Sequence, residues 1–191
     1  MTRRAHAGAG FTMVELVTVI ILVGVLGAVA ATRFVGRTGF DARGFADQAQ
    51  SLMRYAQKVA VAQNRPVYVR LDGASVALCF DNACSGAANQ VIAPGGTNSV
   101  GKDSTNACLG STNWACAALP ANVTLTATGL GTSFYFDALG KPFMGTDAIT
   151  AVTSTFPAPA AGASTATYLT IAGDGVSTKV YVEAETGYVH Q

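Results

Sequence analysis

Histidine and charge are what this 191-residue sequence is short of. Its two histidines, His6 and His190, stand close to the two ends. A nucleophile–imidazole relay needs its imidazole inside a packed site, so hydrolysis by that route is excluded. Charged residues make up 12% of the chain and sum to a formal +1, too few and too balanced to draw a polyanion to the molecule as a whole. Asp72, Asp81, Asp137 and Asp174 stand singly beside turn residues, where an aspartate bonds its own backbone. No Asp-x-Asp-x-Asp-Gly calcium loop is present. Gly173-Asp174-Gly175 lacks both the spacing and the following helix of a phosphate loop. No catalytic residue, metal or cofactor is therefore expected, and with no nucleophile, base and orienting group to assemble, the sequence reads as a non-enzyme.

What it has in quantity is apolar. Residues 11–31 form a run of 21, interrupted by Thr12, Glu15 and Thr18, long enough by count to span a bilayer. Arg3, Arg4 and His6 precede it with no acid among them, a flank of the kind that stays cytoplasmic. Glu15 is the anomaly. A carboxylate near a bilayer centre costs roughly 2.5–3.5 kcal/mol on insertion scales and calls for a cationic partner. A secretory leader would place the apolar run before a small-residue cleavage site; here the order is reversed. Cleavage after Gly10 would leave the run on the mature chain, beginning at Phe11 with Glu15 fifth, and would leave ten basic against eleven acidic side chains. Gly24 with Ala28, and Gly27 with Ala31, recur four apart, as residues for close helix approach or as ordinary small residues of an apolar helix.

Farther along, Phe45, Ala49, Leu52, Ala56 and Val59 recur at helical spacing, with Arg43, Asp47, Gln50, Arg54, Gln57 and Lys58 on the remaining faces. This predicts an amphipathic helix against a core. If one rod runs over 11–63, it spans about 80 Å. Asn64-Arg65-Pro66 ends it, since the residue before proline leaves helical geometry. Asp72-Gly73 between two alternating runs predicts a hairpin with a two-residue turn, Val69 opposite Val76 and Val67 opposite Leu78. Val67, Val69, Leu71, Val76, Leu78 and Phe80 then share the face toward the helix, with Tyr68, Ala77 and Cys79 pointing away.

Residues 81–120 read as a long loop, kept ordered by cysteines. Cys79, Cys84, Cys108 and Cys116 all lie beyond the apolar run, and an even count there favours disulfides. Three connectivities are open; pairing Cys79 with Cys84 and Cys108 with Cys116 is the simplest. The spacing is poor for zinc. Trp114 reads as the plug of a small satellite core, with an exposed contact as the alternative. Strands are expected at 123–128, 134–136, 149–156, 168–171 and 179–182, with a turn at 139–143 and a loop at 157–165. The fold class is α+β: a long N-terminal helix, transmembrane in its first half, on an antiparallel β domain.

Gly10-Phe11-Thr12-Met13-Val14-Glu15 resembles the class III signal of type IV pilins and pseudopilins, with Met13 in place of the commoner Leu. The resemblance implies cleavage between Gly10 and Phe11 by a prepilin peptidase, N-methylation of Phe11, and a role for Glu15 in meeting the amino terminus of a neighbouring subunit. It divides the chain into a leader at 1–10, a transmembrane and filament-core segment at 11–31, the amphipathic half of the helix at 32–65, and a globular antiparallel domain at 66–191. Pilins often carry a proline near the position of Thr32; here Gly36 and Gly39 would supply the weak point. The globular part is similar to the pseudopilin H and FimT-like subfamily through the helix and hairpin at 52–80, Phe136-Asp137-Ala138-Leu139-Gly140-Lys141-Pro142, and Val180-Tyr181-Val182-Glu183-Ala184-Glu185-Thr186-Gly187. Within it, residues 14–34 and 52–62 resemble minor prepilins of mannose-sensitive haemagglutinin (MSHA) pili. The implied partners are the prepilin peptidase, a major pilin, other minor pilins, an inner-membrane assembly platform, and the membrane through 11–31. The implied location is the inner membrane, with the globular domain periplasmic, and then a pilus. A pseudopilin of a type II secretion system is the alternative. Some FimT-like proteins bind DNA through a basic C-terminus, but Glu183 and Glu185 stand here and Lys102, Lys141 and Lys179 are isolated, so nucleic acid is not an expected partner.

Overall fold

A computed structural model describes residues 11–33, 37–95, 108, 113–159 and 167–191, with the side chains of 30–33, 37 and 38 outside the description. Helix α1 is Met13–Arg33 and α2 is Arg37–Gln63. The chain divides into two compact units between Arg37 and Thr38, so α2 belongs to the second. Continuity of a single rod would be decided at 34–36, which lie outside the described residues.

In the first unit, α1 starts because Thr12 caps it. Its Oγ1 accepts the Glu15 amide at 3.2 Å and its carbonyl the Leu16 amide at 3.1 Å, which satisfies donors that a helix start leaves unpaired. Among the described residues no helix is long and apolar enough to cross a membrane. The described helix therefore does not support the transmembrane half expected of 11–31.

In the second unit, the predicted stripe of α2 is buried at every position, Phe45, Ala49, Leu52, Ala56 and Val59. Met53, absent from that stripe, is also wholly buried and is one of the larger core side chains. The helix ends at Gln63, and Asn64 reverses the chain at φ +50° ahead of Pro66.

Nine strands follow: β1 Val67–Leu71, β2 Ser75–Cys79, β3 Cys116–Ala118, β4 Thr124–Thr128, β5 Ser133–Phe136, β6 Pro142–Met144, β7 Tyr168–Gly173, β8 Val176–Val182 and β9 Val189–His190. They form two antiparallel sheets, in the orders β3-β2-β1-β5-β6 and β4-β7-β8-β9. The hairpin at Asp72-Gly73 exists, but its register differs from the expected one: Val69 faces Leu78 and Leu71 faces Val76. The Asp72 carboxylate is the reason. Its Oδ1 accepts the amides of Ala74 and Ser75 at 3.0 and 2.6 Å, which widens the connection to residues 72–75. A slip of two leaves every side chain on its predicted face. The two-residue turn occurs instead at Asp174-Gly175, both at positive φ, between the paired Gly173 and Val176.

Val67, Val69, Leu71, Val76 and Leu78 join α2, Phe134 and Phe136 in the main core. The opposite face of the same sheet is not open to solvent. Tyr68, Tyr135 and Phe143 form a second cluster, and Ala77, Cys79, Trp114 and the other cysteines a third. Ile149 to Phe156 is not a strand. Asp147 draws this segment into a loop by accepting the amides of Met144 and Thr155 at 3.0 Å and the Thr155 hydroxyl at 2.5 Å, leaving Ile149 and Val152 outside. Residues 139–143 divide into a turn and the start of β6.

Candidate assembly site and the surfaces around it

The N-terminal motif is the sequence's foremost site. Gly10 lies outside the described residues; Phe11 is exposed. Every described side chain from Phe11 to Val29 is exposed, so the apolar surface of α1 goes all the way round rather than forming one stripe. A helix of that kind is ordinarily surrounded by other apolar matter. Glu15 sits on it in a defined state. Its amide is bonded to Thr12 Oγ1 and its carbonyl accepts the Thr18 hydroxyl at 2.9 Å, while its carboxylate makes no hydrogen bond or ion pair among the described residues. The Thr12-x-x-Glu15 spacing is the capping-box pattern, a signal for Thr12 that is legible in the sequence once Glu15 is read as a helix-start residue too.

The two C-terminal motifs meet, though thirty-seven residues separate them. The Gln57 amide donates one N–H to Gly140 O at 2.9 Å and the other to Thr186 O at 2.8 Å. Gly140 closes a turn in which Asp137 Oδ1 accepts the amides of Leu139 and Lys141 at 2.9 and 2.8 Å. Gly187 stands at φ +64°, and a Cβ there would collide with Gly140 O and the Phe136 ring. These motifs thus seat the β domain on α2. Gln57 had only a solvent face in the sequence reading, because its two acceptors are distant in sequence.

Of the three cysteine connectivities the local one is present: Cys79–Cys84 and Cys108–Cys116, with Cα separations of 5.4 and 5.9 Å. Trp114 is the plug. It is buried among the cysteines and its Nε1 donates to Leu78 O at 2.7 Å, which answers the polar atom of a buried indole.

The charges near the C-terminus are paired. His190 Nε2 meets Glu183 Oε1 at 2.9 Å, and Lys141 Nζ meets Glu185 Oε2 at 2.8 Å. Lys179 lies 4.5 Å above the Tyr168 ring. Lys141 and Lys179 are thus not isolated as expected, though Lys179 is exposed; the fold supplies partners that the sequence separates. Lys102 lies outside the described residues. Among the described residues no group of three or more His, Cys, Asp or Glu is placed to hold a metal ion.

No family model matches the chain, and no curated protein matches it. Among solved structures it is similar in fold to the type IV minor pilin FimU of Pseudomonas aeruginosa, at TM-score 0.43 and 12% identity over 78% of this chain and 90% of that one. It is likewise similar to the minor pseudopilin EpsH from the type 2 secretion system of Vibrio cholerae, at TM-score 0.46 and 15% identity over 78% of this chain and 94% of that one. Likeness at this level leaves the functional reading to the residues of the chain itself.

Proposed function

We propose that this chain is a minor pilin-like structural subunit, cut between Gly10 and Phe11 by a prepilin peptidase, methylated on Phe11, and joined to a filament through residues 11–31 and Glu15. The observation that carries the reading is α1: an apolar surface exposed on all sides, holding one carboxylate with no partner among the described residues. Burial of that surface among like helices gains the transfer energy of each side chain, and it obliges Glu15 to find a cation. The new amino terminus of an adjoining subunit is such a cation.

In this reading residues 1–10 are the leader, 11–31 lie in the inner membrane before assembly, 32–65 are the amphipathic part of the helical segment, and 66–191 are the periplasmic domain. The two disulfides fit an oxidising compartment. The partners are the peptidase, a major pilin, other minor pilins and the assembly platform. The fibre is of MSHA type, on the resemblance of residues 14–34 and 52–62 to the minor prepilin MshC.

Mass spectrometry of the protein from cells with and without the peptidase tests the processing. An N-terminus at methylated Phe11 in peptidase-positive cells alone is expected, and one at Ala9 or earlier in those cells would sink the reading. Deleting the gene in its own host separates the systems: loss of surface fibres supports the pilus, and loss of protein secretion with fibres intact would transfer the chain to a secretion pseudopilus.

A further inference from the structure

The edge of a sheet presents a row of backbone groups that another chain can pair with, so folded proteins shorten, cover or charge their edges. Three of the four edges here are guarded in that way. In the first sheet β3 and β6 have three residues each. The Cys108–Cys116 disulfide ties down β3 at its first residue, and β6 opens on Pro142, whose carbonyl accepts the Ser154 hydroxyl of the following loop at 2.6 Å. In the second sheet β9 has two residues, and Val189 O accepts Arg54 Nε of α2 at 2.9 Å.

The fourth edge, β4, differs. All five of its residues, Thr124–Thr128, pair with β7, and among the described residues no other element bonds their backbone. The strand has no proline and no charge, and no Asp, Glu, Lys, Arg or His occurs anywhere in 104–136. None of the ordinary guards is present.

Burial shows what the edge is short of. Thr124, Thr126 and Thr128 are exposed, while Leu125 and Ala127 pack against the main core yet are only half-buried. The inward residues of the neighbouring strands, Leu169, Ile171, Val180 and Val182, are wholly buried. The core is thus incompletely closed along β4. A further strand would pair the outward backbone groups, on the order of four to six hydrogen bonds for five residues, and its own inward side chains would cover Leu125 and Ala127. Charged side chains on that strand would find no counter-charge on β4, and inward ones would be desolvated without a partner. The edge therefore fits an uncharged strand with apolar residues at alternate positions. We propose that β4 takes such a strand from an adjoining filament subunit into the second sheet, by strand addition. The inference rests on the assembly proposed for α1, which surrounds this chain with other subunits, and gives the second unit a contact of its own.

The test uses the full chain in its host. Thr126→Lys places a charge on an exposed position of the edge; the protein should keep its melting temperature and both disulfides while its share in sheared filaments, by immunoblot against the cell fraction, falls at least about tenfold. Thr126→Val leaves the edge neutral and should keep the wild-type share. If Thr126→Lys fails to fold, Thr128→Lys carries the same expectation. A photoreactive benzoylphenylalanine in place of Thr126, irradiated in filaments, should cross-link to an uncharged strand of another pilin subunit, mapped by mass spectrometry. With the wild type present in filaments, an undiminished share of the lysine variant, no cross-link, or a cross-link to a helix or to a second copy of this chain would each overturn the inference and leave the assembly reading standing. Absence of the wild type from filaments would overturn both.

Discussion

Glu15 takes its meaning from what surrounds it. Its amide is already spent on the Thr12 cap, while its carboxylate stands without a partner among the described residues on an apolar helix. The two roles come apart under substitution. Glu15→Gln leaves the backbone cap in place, so the protein should accumulate and insert normally. Its share in sheared filaments, measured by immunoblot against the cell fraction, should fall at least about tenfold, the equivalent of one lost charge-assisted contact of roughly 1.4 kcal/mol; unchanged incorporation would count against the ion-pair role. Tyr135 offers a test inside the fold. Burial raises its pKa to about 12, helped by Tyr68, Asp147 and Asp137, and its hydroxyl donates to Ala148 O at 2.9 Å. Because the folded value lies above the unfolded value of about 10, its contribution to stability is complete below pH 10 and is lost as pH rises toward 12. Chemical denaturation should therefore show stability falling over that window, and Tyr135→Phe should flatten the fall.

At the scale of elements, local pattern predicted most of what formed, and side chains outside the pattern account for the exceptions. The stripe on α2 was legible because burial on a helix repeats at 3.6 residues. The faces of β1 and β2 were legible because burial in a strand repeats at two. The hairpin register was not, since it depends on the Asp72 carboxylate reaching Ser75 rather than on the Asp-Gly pair alone. Nor was the loop at 149–156, where an apolar run that reads as a strand is held by Asp147 and Ser154 instead. The joint between α2 and the β domain is sharper still. Gly187→Ala would force a Cβ onto Gly140 O at a left-handed φ. It should cost at least about 2 kcal/mol and lower the melting temperature by about 4–8 °C, read by calorimetry. A melting temperature unchanged within about 1 °C would show that the Gln57 joint yields, for that corresponds to under roughly half a kcal/mol.

For the whole molecule, the second unit closes its core with its own residues, α2 included. Residues 38–191 expressed alone into an oxidising compartment should form both disulfides and melt cooperatively as a monomer; aggregation or non-cooperative melting would show that the core needs more of the chain. The sequence by itself determined the apolar N-terminal run with its acid, the stripe of α2, the alternation of the strands and the α+β class, because each is written in neighbours a few residues apart. Tertiary structure alone decided which cysteines pair, that both faces of the first sheet are buried, that Gln57 binds two motifs together, and that β4 lies at an edge. Each of those depends on groups distant in sequence that meet only when the backbone has folded. The residues around Glu15 set its helix start, and its carboxylate has no partner among the described residues.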